Sequence, residues 1–210
     1  MVKVKICGVK SLEDVDIVNH TMPDYVGFVF AESKRQISDD HAKRLRKALD
    51  PKILSVGVFV NDTISHITSL CKNHVIDLVQ LHGEESAEYI MALKGQISVP
   101  IIKAVRLQSK SQGAGLLISQ ADYILFDSYK EGSEYGGTGK QLNQALLPAL
   151  IRPTFLAGGM NEQNVKQVME KYQPFCIDVS SSVETDGKKD LRKVERMIKI
   201  IRENGGNKCE

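Results

Sequence analysis

Eight short apolar runs, rich in Val, Ile and Phe, recur along this chain at steps of 21 to 32 residues. They are Val2–Cys7, Tyr25–Phe30, Leu54–Val60, Ile76–Leu81, Ile101–Val105, Asp122–Asp127, Thr154–Ala157 and Phe175–Val179. Most are apolar on both parities. That is the pattern of strands covered on both faces, whereas a strand with one wet face alternates. The gaps carry helical spacing over Ser11–His20, Asp39–Asp50, Thr63–Asn73, Glu84–Leu93, Asn161–Tyr172 and Asp190–Asn204. Ser11 followed by Glu13 and Asp14 reads as an N-terminal cap, and the acids Glu84 and Glu85 suit a helix start. The polar stretch Gln108–Gln120 predicts a short or missing fifth helix, and Tyr129–Gly139 reads as a Gly-rich loop.

Strand–helix alternation predicts a parallel α/β sheet. Eight units in 210 residues predict a single (β/α)8 TIM barrel over residues 1–210, at the lean end of that architecture. The rival, an open doubly wound sheet, announces itself with G-x-G-x-x-G after the first strand. Here Cys7-Gly8-Val9-Lys10 stands in that place. Gly136–Lys140 has the outline of a phosphate-binding P-loop, but Glu134 and Gln141 break the pattern.

Hydrophobic residues at 42% and charged residues at 26% are those of a globular chain, which argues against disorder. A net charge of +2 makes no electrostatic case for nucleic acid or a membrane surface. No apolar run reaches bilayer length, and the N-terminus reads as a strand. Cys7, Cys71, Cys176 and Cys209 form no C-x-x-C pair, and the histidines form no H-E-x-x-H, so no metal site is expected. Unpaired cysteines point to a reducing, cytoplasmic compartment. The seven basic residues from Lys188 to Arg202 are interspersed with Asp190 and Glu195, and read as a solvated helix face.

In a (β/α)8 barrel the chemistry sits at the C-terminal ends of the strands. That rule selects Cys7, Arg35, Asn61, His82, Arg106, Asp127, Gly158-Gly159, Asp178 and Ser180–Ser182. Gly158 and Gly159 follow strand seven and the serines follow strand eight, the two loops that bind phosphate in many barrels. Cys7 and Asp127 form an acid–base pair, provided that positive charge lowers the thiol and burial raises the carboxyl. Each also has a plain reading: Cys7 as an inert buried thiol and Asp127 as a loop cap. Arg35 reads as a grip for a carboxylate or as a solvated charge. His82 reads as a site group or as a satisfied structural histidine.

Taken together in chain order, these residues resemble the phosphoribosylanthranilate isomerase family. The resemblance runs through Lys5-Ile6-Cys7-Gly8, Gly27–Phe30 with Ser33–Gln36, Gly57–Asn61 and Val79–Gly83. It continues through Phe126-Asp127-Ser128, Gly136–Gly139, Leu156–Gly159 and Asp178–Ser181 with Val183-Glu184. It implies a cofactor-free Amadori rearrangement of phosphoribosylanthranilate, a small-molecule substrate, in tryptophan biosynthesis. It also implies Cys7 as general base and Asp127 as general acid, with Arg35 at the anthranilate carboxylate. His82 and Asp178 would line the site, and Gly158, Gly159, Ser180 and Ser181 would bind phosphate. Three places depart from the family's habit: Glu32, the pair Leu142-Asn143, and Ser182, where glycine is usual. A related aldosylamine isomerase would pair two aspartates, and Cys7 argues against it. A non-catalytic sugar-phosphate-binding barrel has no need of both Cys7 and Asp127. Monomer and homodimer are both compatible with the sequence.

Overall fold

The computed structural model describes residues 1–107, 120–128, 144–147, 150 and 152–205. Eight parallel strands close into a barrel in chain order. They are β1 (Lys3–Cys7), β2 (Tyr25–Val29), β3 (Leu54–Phe59), β4 (Leu78–Leu81), β5 (Ile101–Leu107), β6 (Tyr123–Ser128), β7 (Thr154–Leu156) and β8 (Cys176–Val179). Each lies within two residues of its predicted run. β1 pairs with β2 on one side and β8 on the other, so Lys5 stands in register with both Tyr25 and Asp178. Closure gives every barrel strand two partners and removes the exposed edges of an open sheet.

Helices α1 (Leu12–Thr21), α2 (Asp39–Ala48), α3 (Ile64–Lys72), α4 (Ala87–Lys94), α5 (Val165–Tyr172) and α6 (Leu191–Asn204) follow their strands. Ser11 caps α1 as expected, in a reciprocal box with Asp14; a cap of this kind contributes about 1 kcal/mol. Ser38, Thr63, Ser86 and Asp190 cap α2, α3, α4 and α6 through their side chains. No helix among the described residues is long and apolar enough to cross a membrane.

Burial on both strand faces produces two apolar layers. Inside the barrel sit Tyr25, Val56, Leu78, Ile102, Leu125, Phe155 and Cys176, one from each of β2 to β8. Outside it, residues of the other parity such as Ile6, Phe28 and Val79 pack with helix residues such as Val15, Leu45 and Ile198. Strand side chains alternate with period two. Two residues beyond the inner apolar layer, the same inward parity therefore carries Gln80, Asp127 and Asp178, while β1 contributes Cys7.

Two helix starts differ from expectation. α4 begins at Ala87, not at Glu84, because Glu85 turns inward. Its carboxylate accepts the Asn61 N–H at 2.8 Å and the Gly83 N–H at 3.0 Å, and pairs with the buried Lys103 ammonium at 2.6 Å. α5 begins at Val165, not at Asn161. The Asn161 side chain accepts the N–H groups of Gln163 and Asn164, forming a local turn before the helix. The predicted features at 108–119 and 129–143, which include Gly136–Lys140 and Leu142-Asn143, lie outside the described residues, as does Cys209.

The Glu85–Lys103 pair ties the loop after β4 to β5. Burial works to raise Glu85, but Lys103 outweighs it and holds the carboxyl below its ordinary value. A carboxyl lowered in the folded state contributes stability above its unfolded value near ~4.3, and that contribution is lost as pH falls through the folded value. Removing one partner of a buried pair costs about 3–5 kcal/mol. We expect Glu85→Gln to lower unfolding stability by that amount at neutral pH, measured by urea denaturation, and to flatten the acid limb of the stability–pH curve.

Candidate active site

A cleft opens at the C-terminal ends of the barrel strands. It is lined by the nine residues that the family resemblance implies, Cys7, Arg35, His82, Asp127, Gly158, Gly159, Asp178, Ser180 and Ser181, and by Ser182. Asn61 and Arg106 are not among the described lining residues. Asn61 adopts a left-handed backbone (φ 50°) and accepts the Glu84 N–H at 2.8 Å. Arg106 pairs with Glu84 at 3.2 Å.

Local backbone shapes bring these groups together. Gly27 sits beside Cys7, and a Cβ there would stand 2.8 Å from the thiol sulfur. Gly158 and Gly159 both have positive φ, 81° and 62°. A Cβ on Gly158 would meet the Ser128 nitrogen at 2.6 Å, so the glycine lets the end of β7 lie against the end of β6. There the Asp127 Oδ1 accepts the Ser128 N–H at 2.7 Å. Its Oδ2 lies 3.3 Å from His82 Nε2, within ion-pair range but not aligned as a hydrogen bond. Gln80 holds the other ring nitrogen of His82 at 2.8 Å.

The cleft is polar beyond its internal needs. Six buried side-chain polar atoms among the described residues have no hydrogen-bond partner. Four of them line the cleft: Gln80 Oε1, His82 Nε2, Asp178 Oδ1 and Ser182 Oγ. Buried groups of this kind cost stability unless something pairs with them, so their concentration in one place marks a binding surface. Ser182, the departure from the family's glycine, therefore adds a hydroxyl to the loop after β8. The Ser180 hydroxyl donates to the Cys7 carbonyl at 3.1 Å.

The electrostatics correct one expectation. Burial pushes the Cys7 thiol above its ordinary value, against the opposing pull of Lys5 and Lys189. Positive charge surrounds the sulfur as anticipated, but desolvation outweighs it. Lys5 is fully buried, and its ammonium donates to Asp178 Oδ2 at 2.9 Å. Burial likewise raises the Asp178 carboxyl.

Arg35 is not a free loop charge. Its Nε and Nη2 donate to the two oxygens of Glu184 at 2.9 and 2.8 Å, a two-point grip. Burial works to raise Glu184, but Arg35 and Lys189 hold its carboxyl down at about 2.

Lys189 and Glu184 are the residues that sequence reasoning missed. They face each other across a short antiparallel hairpin, β9 (Glu184–Thr185) and β10 (Lys188–Lys189). Its two-residue turn is Asp186-Gly187, with φ of 51° and 75°. Asp-Gly between two short extended segments is the sequence signal for such a turn. Lys189 is the buried residue of a hairpin whose turn is exposed, which corrects for this one lysine the solvated face expected for the basic residues from Lys188 to Arg202.

Known proteins resemble this chain along nearly its whole length. A family model described as N-(5'phosphoribosyl)anthranilate (PRA) isomerase matches residues 4–200. An N-(5'-phosphoribosyl)anthranilate isomerase of Endomicrobium trichonymphae is 50% identical over 202 residues, covering 96% of this chain and 99% of its own. The crystal structure of phosphoribosyl anthranilate isomerase from Thermotoga maritima superposes with a TM-score of 0.86 at 37% identity, covering 97% of this chain and 100% of that one. A second crystal structure holds the same enzyme type in complex with reduced 1-(o-carboxyphenylamino)-1-deoxyribulose 5-phosphate. It matches with a TM-score of 0.79 at 34% identity, covering 98% of each chain. The chain belongs to the phosphoribosylanthranilate isomerase family.

Proposed function

We propose that the chain isomerises N-(5'-phosphoribosyl)anthranilate to 1-(2-carboxyphenylamino)-1-deoxyribulose 5-phosphate, an aldose-to-ketose step of tryptophan biosynthesis, without a cofactor. The observation that carries this reading is the meeting in one cleft of the nine residues that the family resemblance implies, in a chain of this family.

In this reading Asp127 donates a proton to the furanose ring oxygen. The C1′–O bond breaks as the anilino nitrogen lends its electron pair, leaving a Schiff base. The Cys7 thiolate then takes the proton from C2′, and the freed pair moves into a C1′–C2′ double bond, giving an enolamine. Loss of the enol proton and protonation at C1′ yield the ketone. Acid and base act on different atoms, which suits a pair placed on β6 and β1. Arg35 would hold the anthranilate carboxylate, and Gly158, Gly159, Ser180 and Ser181 the phosphate. Anchoring both ends fixes the reacting carbon between the two proton-transfer groups. His82 and Asp178 line the space between.

The nine residues come from one chain, so a monomer already carries the site, and a homodimer would carry two. The enzyme would work in the cytoplasm, where Cys7 stays reduced; Cys7, Cys71 and Cys176 are all free thiols.

The direct test mixes purified protein with freshly made phosphoribosylanthranilate and follows loss of substrate fluorescence. Loss well above the spontaneous rate supports the reading. No loss from a folded protein would leave a barrel that only binds sugar phosphates, or one that acts on another aldosylamine. Proton-transfer groups contribute about 10²–10⁴-fold. We therefore expect Cys7→Ala and Asp127→Asn each to cut kcat by that range with circular dichroism unchanged; near-normal turnover in Asp127→Asn removes it as the acid. Arg35→Met should act mainly on KM, raising it roughly 10- to 100-fold for loss of a charge-assisted grip, with kcat less affected.

A further inference from the structure

Lys189 is a buried cation with all three N–H donors engaged. Its ammonium donates to the Cys7 carbonyl at 2.6 Å, to the Ser180 carbonyl at 3.3 Å and to Glu184 Oε1 at 2.7 Å. Its backbone N–H donates to Asp14 Oδ1, in the capped first turn of α1, at 3.2 Å. One side chain therefore joins the end of β1, the loop after β8 and the carboxylate that grips Arg35.

The side chains around the Cys7 sulfur give this clamp a second role. Lys5 on β1, Asp178 on β8, Lys189 on the hairpin and Arg35 from the loop after β2 act on it. Lys5 is matched by Asp178, while Arg35 and Lys189 share the single carboxylate of Glu184. Asp14 accepts the Lys189 N–H, and Asp127 with His82 stands beside Asp178. A buried charge is costly without a partner of opposite sign, and the Lys189 ammonium, held at the Cys7 carbonyl, is one such partner for a thiolate. We infer that Lys189 is a positioning residue for Cys7, fixing its backbone through the carbonyl and supplying the positive charge that makes the buried thiolate accessible to catalysis. This rests on the reading of Cys7 as the base.

The opposed signs of Lys189 and Glu184 provide the test. Alkylation of Cys7 by iodoacetamide is followed against pH, read on the Cys7 peptide by mass spectrometry, in the wild type, Lys189→Met and Glu184→Gln. Folding of each is checked by thermal unfolding. Losing the cation should move the alkylation midpoint up by about one pH unit or more, and the acid limb of kcat/KM should move with it. Losing the carboxylate should move both down. An unmoved midpoint in Lys189→Met, or a shift in the same direction in both variants, overturns the inference, because a merely structural clamp would not respond to the sign of the charge removed. If Lys189→Met does not fold, Glu184→Gln decides alone: a lowered midpoint supports the inference and an unchanged or raised one ends it. Near-normal turnover in Cys7→Ala overturns the base and this inference together, whereas an unmoved midpoint beside an inactive Cys7→Ala overturns this inference alone.

Discussion

Backbone hydrogen bonds between β1 and β8 turn a row of parallel strands into a ring, and the ring sets what each residue can face. Strands that pair in register share the direction of their side chains, and each side chain along a strand reverses the last. Lys5 opposite Asp178 is the seam of that closure. With Cys176 fixed in the inner apolar layer, Asp178 has to lie one layer above it, and with Lys5 opposite Asp178, Cys7 has to reach the mouth. A slip of one residue at the seam would send Cys7 into the layer beneath the helices. The site is in this sense a by-product of register, and the buried Lys5–Asp178 pair opposes such a slip by leaving two unpartnered charges if it occurs.

The same ring explains why ionisable groups are tolerated so close to the core. The inner layer of Tyr25, Val56, Leu78, Ile102, Leu125, Phe155 and Cys176 closes the barrel beneath them, so the polar layer has solvent on one side only. Within it, hydrogen bonds and pairs offset part of the desolvation. What they leave over is concentrated in the cleft, at Gln80, His82, Asp178 and Ser182.

Strand identity was legible because burial on both faces writes itself into consecutive residues, and the barrel followed from the count of eight. The position of Cys7 and Asp127 at strand ends was legible for the same reason. Glu85 was misread because its partner, Lys103, lies on the next strand, and a pair of acids before a helix looks the same whether they face solvent or a buried ammonium. The state of the Cys7 thiol was misjudged because proximity of positive charge can be guessed from sequence, whereas the depth of burial that opposes it cannot. Lys189 was missed by a wider margin. Its link to Cys7 spans 182 residues of chain, and the Asp186-Gly187 turn that folds it inward is a short signal set among lysines that otherwise read as surface.

The two-point contact between Arg35 and Glu184 has a geometric consequence. Glu184 occupies the Nε–Nη2 edge of the guanidinium, so an arriving carboxylate is offered the end formed by the two terminal nitrogens. The plane of the fork is already set, and so is the bearing along which it can be approached. If Arg35 grips the anthranilate carboxylate as proposed, that pairing would constrain the orientation of the arriving ring. Glu184 thereby turns a flexible side chain into one with a set bearing.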